Sequence, residues 1–246
     1  MSEAHTEAEA PVAPRVTIVI PVYNEEAILK SAVLDLVDRL QEFDWPYELV
    51  LAENGSVDAT PELLEELSQR FPQVTYFRCA QPNYGAALKQ GILEARGEFV
   101  LCDEIDLCDT DFYRRAMDIL ETNSADLVVG SKALAGASDE RPPLRKAGTL
   151  VINGLLRATL GFKGTDTHGL KAFRRAPLVE FARQCLVDKD LFASEFVIRA
   201  ERGGVRIQEI PIRVLEKRPP SIHLINRVPN VLKNLGKLII AIRIKG

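Results

Sequence analysis

Between Gly97 and Asp111 the chain reads GEFVLCDEIDLCDTD. An apolar, strand-like run, Phe99-Val100-Leu101-Cys102, passes straight into Asp103, Glu104, Asp106, Asp109 and Asp111. Carboxylates at the end of a buried strand repel one another and resist losing their water. A divalent cation with oxygen ligands is a natural compensation. Strand alternation puts Glu104 and Asp106 on one face and Asp103 on the other, which makes Glu104-Ile105-Asp106 a two-carboxylate claw. Helix capping with a solvated acidic turn is the competing reading, and this stretch alone does not separate the two.

The elements around it have to place those acids. The first 14 residues are small, polar and proline-broken, and read as a disordered leader. Val16 to Ile20 is a β-branched run suited to a strand covered on both faces, stopped by Pro21. Glu25 to Leu40 has helical spacing, Tyr47 to Leu51 reads as a second strand, and Glu53-Asn54-Gly55-Ser56 as a turn. Asp58 or Thr60 can cap the next helix, with Pro61 near its first turn. Val74 to Cys79, Tyr84 to Ala95 and Glu98 to Cys102 read as strand, helix and strand. Further on come a helix over Phe112 to Leu120, a strand over Asp126 to Gly130, a loop over Ala133 to Pro143 and a helix over Leu150 to Leu160. Glu195 to Arg202 is helical and Val205 to Val214 alternates like a strand. Strands and helices in this rhythm predict an α/β domain with a mostly parallel sheet and right-handed crossovers. Ligands of such sheets bind beyond the carboxyl ends of the strands. The polar clusters Tyr23-Asn24-Glu25, Glu53-Asn54 and the acidic run all fall at such ends.

Composition narrows the function classes. The 246 residues suffice for one well-buried domain, and the net charge of -4 argues against a nucleic-acid partner. Charge is uneven, with nine Lys/Arg against two acids from Gly203 to Gly246. Cys79, Cys102, Cys108 and Cys185 lack zinc spacing and read as free thiols of a reducing compartment. No secretory signal and no membrane-spanning run is visible. The expected location is the cytoplasm, with peripheral contact at the inner face of the membrane. Val228 to Ile244 interleaves apolar residues with Lys233, Lys237 and Arg243, which suits a basic amphipathic helix on an anionic surface. Packing on the domain or on a second copy, as a homodimer, is the alternative. The expected division is leader 1–14, main domain 15–225 and C-terminal helix 226–246.

Thr17-Ile18-Val19-Ile20-Pro21-Val22-Tyr23-Asn24-Glu25-Glu26 resembles the opening of family 2 glycosyltransferases of GT-A fold. Glu53-Asn54-Gly55-Ser56-Val57-Asp58-Ala59-Thr60 resembles their D-D-G-S-x-D-x-T turn, and Asn83-Tyr84-Gly85 with Gly91 and Ala95-Arg96-Gly97 their N-x-G helix. Glu104-Ile105-Asp106 lies where the family has D-x-D. Gly130-Ser131-Lys132, Asp166 with Gly169, and Glu209-Ile210-Pro211-Ile212 resemble G-S-R, D-x-[ST]-G and E-V-P-I. The nearest group is the dolichol- and polyprenyl-phosphate sugar transferases.

The resemblance implies an inverting transfer of a sugar from a nucleotide diphosphate sugar. It implies Mg2+ or Mn2+ held by Glu104 and Asp106, acting as a Lewis acid on the leaving diphosphate. It implies Arg145 and Lys217 as catalytic cations, with Lys132 and Arg218 alongside on the phosphates. Glu53 or Asn54 would meet the base edge, Pro21, Tyr23 and Glu25 would frame base and ribose, and Asn24 and Ser56 would complete the nucleotide site.

Departures from the pattern matter too. Glu53-Asn54 replaces two aspartates, and Glu104 replaces the first aspartate of D-x-D, so Asp103 is a possible extra ligand. Asp109-Thr110-Asp111 is a literal D-x-D that reads instead as a helix start. His168 stands where Ser or Thr is usual, and His223 where lysine is usual. The implied acceptor is a polyprenyl phosphate, an anionic nucleophile that needs no general base. A hydroxyl acceptor on a small molecule or glycan needs one, with Asp166, Asp188, Asp190 and Glu195 as candidates; Glu195 also reads as a helix residue paired with Arg199. A degenerate, non-catalytic sugar-nucleotide-binding protein is the third reading. No GxGxxG follows the first strand, which disfavours a nicotinamide dehydrogenase.

Overall fold

A computed structural model describes residues 13–214 and 224–244. In chain order the elements are β1 (Val16–Val22), α1 (Leu29–Leu40), β2 (Tyr47–Glu53), α2 (Thr60–Arg70), β3 (Val74–Arg78), α3 (Tyr84–Glu94), β4 (Phe99–Cys102) and α4 (Thr110–Glu121). They continue with β5 (Leu127–Ser131), β6 (Ser138–Asp139), α5 (Pro143–Leu160), β7 (Lys171–Arg174), α6 (Arg175–Gln184), α7 (Phe192–Arg202), β8 (Ile207–Pro211), β9 (Arg213–Val214) and α8 (Leu224–Arg243). Seven strands form one sheet in the order β3-β2-β1-β4-β7-β5-β8, and β6 and β9 pair separately. Only β7 runs antiparallel to its neighbours.

Each face of the sheet buries its own apolar layer. One joins Ile18, Ile20 and Leu101 to α1, α2 and α4; the other joins Val19, Val100 and Phe173 to α3, α6, α7 and α8. α1 lacks a side-chain cap but buries Leu29, Val33, Leu36, Val37 and Leu40. At about 2 kcal/mol for each buried side chain, that packing far outweighs the roughly 1 kcal/mol of a missing cap. The buried sheet end opposite the acidic run is closed by polar pairing: Thr17 Oγ1 donates to Glu48 at 2.6 Å, and Arg96 Nε reaches the same carboxylate at 2.6 Å.

Several boundaries differ from expectation, each for a local reason. β1 continues through Pro21 to Val22, because β4 ends beside Val19 and Pro21 pairs with Ala52 of β2 alone. The first helix starts at Leu29 rather than Glu25, since 25–28 form a turn in which Ile28 N and Leu29 N share the Glu25 carbonyl. Neither Asp58 nor Thr60 caps α2; Ala59 holds that position, and Asp58 binds the Thr60 and Glu26 N–H groups. α5 begins at Pro143, with proline pre-set for a first turn. β7 and α6 have no counterpart in the sequence reading. α8 packs Leu235, Leu238, Ala241 and Ile242 against the domain, and Arg199 and Arg202 donate to its Ala241 and Ile242 carbonyls. Among the described residues no helix is long and apolar enough to cross a membrane. The leader through residue 12, Lys217, Arg218 and His223 lie outside the described residues.

Candidate active site

The loops after β1, β2 and β3 are stitched together by the polar residues of the first motifs. Asn24 holds a left-handed backbone (φ 53°). Its N–H donates to Ser56 Oγ at 2.9 Å and its Oδ1 accepts from Val57 N at 2.9 Å. Glu25 N donates to Thr60 Oγ1 at 2.8 Å. Glu53, fully buried, accepts from Ser56 N and faces Arg78 at 3.5 Å. Asn54 Oδ1 accepts from Asn83 N, and Asn83 caps α3 through Ala86 N. Asn24, Ser56, Glu53 and Asn54 therefore build the rim of the crevice, with Pro21 buried beneath it and Tyr23 and Glu25 half-buried at its edge.

The acidic run is a turn, not a continued strand. β4 stops at Cys102, and Leu107 N and Cys108 N both donate to the Glu104 carbonyl, at 3.0 and 3.1 Å. Strand alternation thus does not orient Glu104 and Asp106. Asp103 does that work. Its buried carboxylate accepts from Glu104 N at 2.6 Å, Asp109 N at 2.9 Å and the Tyr113 hydroxyl at 2.6 Å. With both oxygens engaged it is a clamp on the turn rather than an extra metal ligand. Burial raises its pKa to about 7 against these donors. Asp109 caps α4 through Phe112 N at 2.9 Å, as the helix-start reading expects.

Glu104 and Asp106 remain as the pair of acids on this turn that Asp103 does not supply. Burial pushes the Glu104 carboxyl up, the Asp106 charge adds to this, and Lys132, Lys171 and Arg141 pull the other way. Among the described residues no three His, Cys, Asp or Glu side chains converge on a common point. The protein would therefore give a divalent ion two carboxylates and leave its other positions to substrate and water. Hard oxygen donors of this kind suit Mg2+ or Mn2+. Tyr84, 43% exposed overall, also faces this pair. Loss of water around its hydroxyl and the charges of Glu104, Asp103 and Asp106 hold its phenol well above 10. On its outer side Asp106 borders a cavity of about 600 Å³ that Arg39, Arg115 and Arg213 also line. Those arginines are paired with Asp35, Asp111 and Glu140.

Opposite the acids stands a basic wall. Lys132 Nζ lies 3.8 Å from Asp166 Oδ2, and both side chains are largely buried. Burial would raise the Asp166 pKa, but Lys132 and the His168 N–H outweigh it and the net shift is downward. Glu209 fixes the backbone here, accepting from Thr165 N at 2.7 Å and Asp166 N at 3.2 Å. Lys171 is buried at the start of β7, donates to the Gly169 carbonyl at 2.8 Å, and is pushed down to about 8 by burial. Asp139 grips Arg141 at 2.9 and 2.7 Å, and the Arg141 charge acts on Asp166 and Glu104.

A rim of loops, an acidic turn and a basic wall thus meet at the carboxyl ends of β1, β2, β4 and β5. Residues 17–181 match the model of glycosyl transferase family 2. The chain belongs to that family. Its relatives include the glycosyltransferase AglD of Haloferax volcanii, 27% identical over 219 residues that cover 87% of this chain and 35% of AglD. They also include the dolichyl-phosphate beta-glucosyltransferase ALG5A of Trichomonas vaginalis, 27% identical over 82% of this chain and 66% of that protein. The chain therefore spans about a third of the first and just under two thirds of the second. Among solved structures, glucosyl-3-phosphoglycerate synthase from Mycobacterium tuberculosis, in complex with UDP, superposes with a TM-score of 0.65. It is 20% identical, over 92% of this chain and 80% of that one. The fold is GT-A.

In this family 2 chain the residues expected at the site divide into three groups. Asn24, Glu53, Asn54 and Ser56 build the rim with Pro21 beneath it and Tyr23 and Glu25 at its edge, and Glu104 feels the charges of Asp106 and Lys132. Arg145 sits half-buried in the first turn of α5, while Arg141, which the sequence reading did not single out, brings its charge to Glu104. Lys217 and Arg218 lie outside the described residues. Lys171 and Tyr84 are the other omissions. A lysine opening the apolar run Leu170-Lys171-Ala172-Phe173 was the available signal for the first, because a buried cation needs anions nearby. For Tyr84 no signal existed beyond its place inside the N-x-G motif.

Proposed function

We propose that this chain transfers a sugar, with inversion, from a nucleoside diphosphate sugar to a polyprenyl phosphate. The observation that carries the reading is that the charges of Asp106, Lys132, Lys171 and Arg141 all act on the Glu104 carboxyl. Two acids within electrostatic reach of three cationic side chains suit a diphosphate whose charge is shared between a metal ion and basic side chains. Glu104 and Asp106 would hold a divalent ion, which would supply Lewis-acid stabilisation of the leaving diphosphate. Lys132, Lys171 and Arg141 add positive charge in a water-poor site, where it acts most strongly. Arg145, Lys217 and Arg218 extend that clamp in our reading. The rim holds the nucleotide, with Tyr23 and Glu25 against base and ribose and Asn54 toward the base edge. The acceptor phosphate oxygen bonds to the anomeric carbon as the bond to the diphosphate oxygen breaks on the opposite face.

The state of three of the four candidate bases supports a phosphate acceptor; the fourth, Asp188, is exposed. Glu195 is fully buried and accepts from Leu186 N, Val187 N and Arg199, at 2.9, 2.6 and 2.8 Å. Asp166 is held by Lys132 and by His168 N at 2.8 Å, and Asp190 by Asn234 at 3.1 Å. Carboxylates committed in this way are poor proton acceptors for a hydroxyl, whereas a phosphate needs none. The dolichyl-phosphate relatives favour the same acceptor. We also propose peripheral membrane contact through α5 and α8. Neither helix contains Asp or Glu, and they carry Arg145, Lys146, Arg157, Lys233, Lys237 and Arg243. Leu144, Leu150, Val151, Leu232 and Ile240 are exposed on them. Basic and apolar surface together suit an anionic bilayer.

The test is transfer from labelled UDP-, GDP- and dTDP-sugars to a short polyprenyl phosphate with Mn2+. A lipid-linked sugar phosphodiester is expected. Transfer only to soluble hydroxyl acceptors would overturn the choice of acceptor.

A further inference from the structure

The buried face of α8 is apolar at Leu235, Leu238, Ala241 and Ile242, with one amide among them, Asn234, 7% exposed. Asn234 Nδ2 donates to Asp190 Oδ2 at 3.1 Å. Asp190 has a left-handed backbone, φ 62°. A non-glycine residue keeps that conformation when its surroundings pin it, and Asp190 is pinned from two directions. Its side chain is held by α8. Its carbonyl stands 3.1 Å from His168 Nε2, whose Nδ1 lies 3.1 Å from Thr167 Oγ1. His168 N donates to Asp166 Oδ1 at 2.8 Å, and Asp166 carries Lys132. The same loop presses on the other wall of the crevice, since a Cβ at Gly85, next to Tyr84, would overlap the Asp188 carbonyl. A line of hydrogen bonds, closed by the Asp166–Lys132 ion pair, thus runs from the C-terminal helix to Lys132.

We propose that Asn234 is a positioning residue of the active site: through Asp190 and His168 it sets the place of Asp166 and Lys132, so that docking of α8 tunes catalysis. Nothing about folding requires an amide here. A leucine at 234 would pack with its apolar neighbours and leave the half-buried Asp190 carboxylate to water, whereas the amide ties the helix to Asp190. The proposal rests on the transfer reading above for its kinetic arm. The spectroscopic arm stands apart from that reading.

The experiment compares wild type with Asn234→Leu and Asn234→Asp in the full chain. Thermal unfolding shows whether each variant is folded. The His168 ring resonances, assigned with a His168→Gln variant, report the loop without substrate. Steady-state kinetics with donor and polyprenyl phosphate report the site. Asn234→Leu should stay folded with Tm near that of wild type, shift the His168 ring signals, and lower kcat roughly ten-fold with donor KM changed far less. Asn234→Asp, which sets a second carboxylate against Asp190, should shift His168 further. An Asn234→Leu protein with wild-type His168 signals and wild-type kcat would overturn the proposal. A wild type without transfer would refute the transfer reading, and unmoved His168 signals would then separately refute the positioning role.

Discussion

Lys132 Nζ stands 3.8 Å from Asp166 Oδ2, and the Lys132 backbone N–H donates to the same oxygen at 3.3 Å. One buried carboxylate therefore holds both the backbone and the ammonium group of the lysine whose charge acts on Glu104. Removing either partner leaves the other buried and unpaired. Asp166→Ala should cost about 3 kcal/mol of stability, and Asp166→Ala with Lys132→Met should recover part of it. Denaturant unfolding of the single and double variants checks this; additive losses would show that the two residues are not coupled.

Tyr113 is the most remote part of the clamp on the acidic turn. Tyr113→Phe removes the buried hydroxyl that donates to Asp103 at 2.6 Å, and a hydrogen bond to a charged acceptor is worth about 2 kcal/mol. Stability should fall by that amount and Mn2+-dependent donor affinity should fall with it, because the turn that carries Glu104 and Asp106 is loosened. Unfolding and donor titration read the two effects separately.

Lys171 makes folding stability depend on pH. Burial lowers its pKa from the ordinary 10.5 to about 8. Between those values the unfolded chain holds a proton that the folded chain has released, so stability rises with pH across this window. Below about pH 8 both states are protonated and the burial penalty, on the order of 3 kcal/mol, is present in full. Lys171→Met should raise stability at pH 7, flatten the slope between pH 8 and 10, and weaken donor binding. Unfolding curves across pH decide it.

Arg141 rather than Arg145 should matter more for the donor phosphates. The bidentate grip of Asp139 sets the Arg141 fork, which lysine cannot reproduce. Arg141→Lys should therefore behave like Arg141→Ala, with donor KM raised roughly ten-fold or more, while Arg145→Ala should change it less. Equal effects at both positions would point to one shared clamp.

The parallel sheet was readable because β1, β2 and β4 are largely apolar runs that end in polar clusters, and burial on both faces leaves such runs few other conformations. The Glu104–Asp106 pair was readable as a composition, but its geometry was not. It depends on Asp103 bonding across the turn to Tyr113, ten residues away, and no local pattern encodes that contact. β7 was missed for a similar reason. Lys171-Ala172-Phe173-Arg174 is short and opens with a charge, and only its place between β4 and β5 makes it a strand. Asp190 and Asn234 meet across 44 residues, a distance over which periodicity carries no information.

Calorimetric titration of UDP-, GDP- and dTDP-sugars into the wild-type chain and into Asp106→Asn, each with and without Mn2+, tests the central claim most directly. One nucleotide should bind the wild type tightly only with the metal, and Asp106→Asn should lose the metal-dependent part. Equal, metal-dependent binding by Asp106→Asn, or no binding of any nucleotide to the folded wild type, would contradict the assignment of Glu104 and Asp106 as the claw that holds the donor.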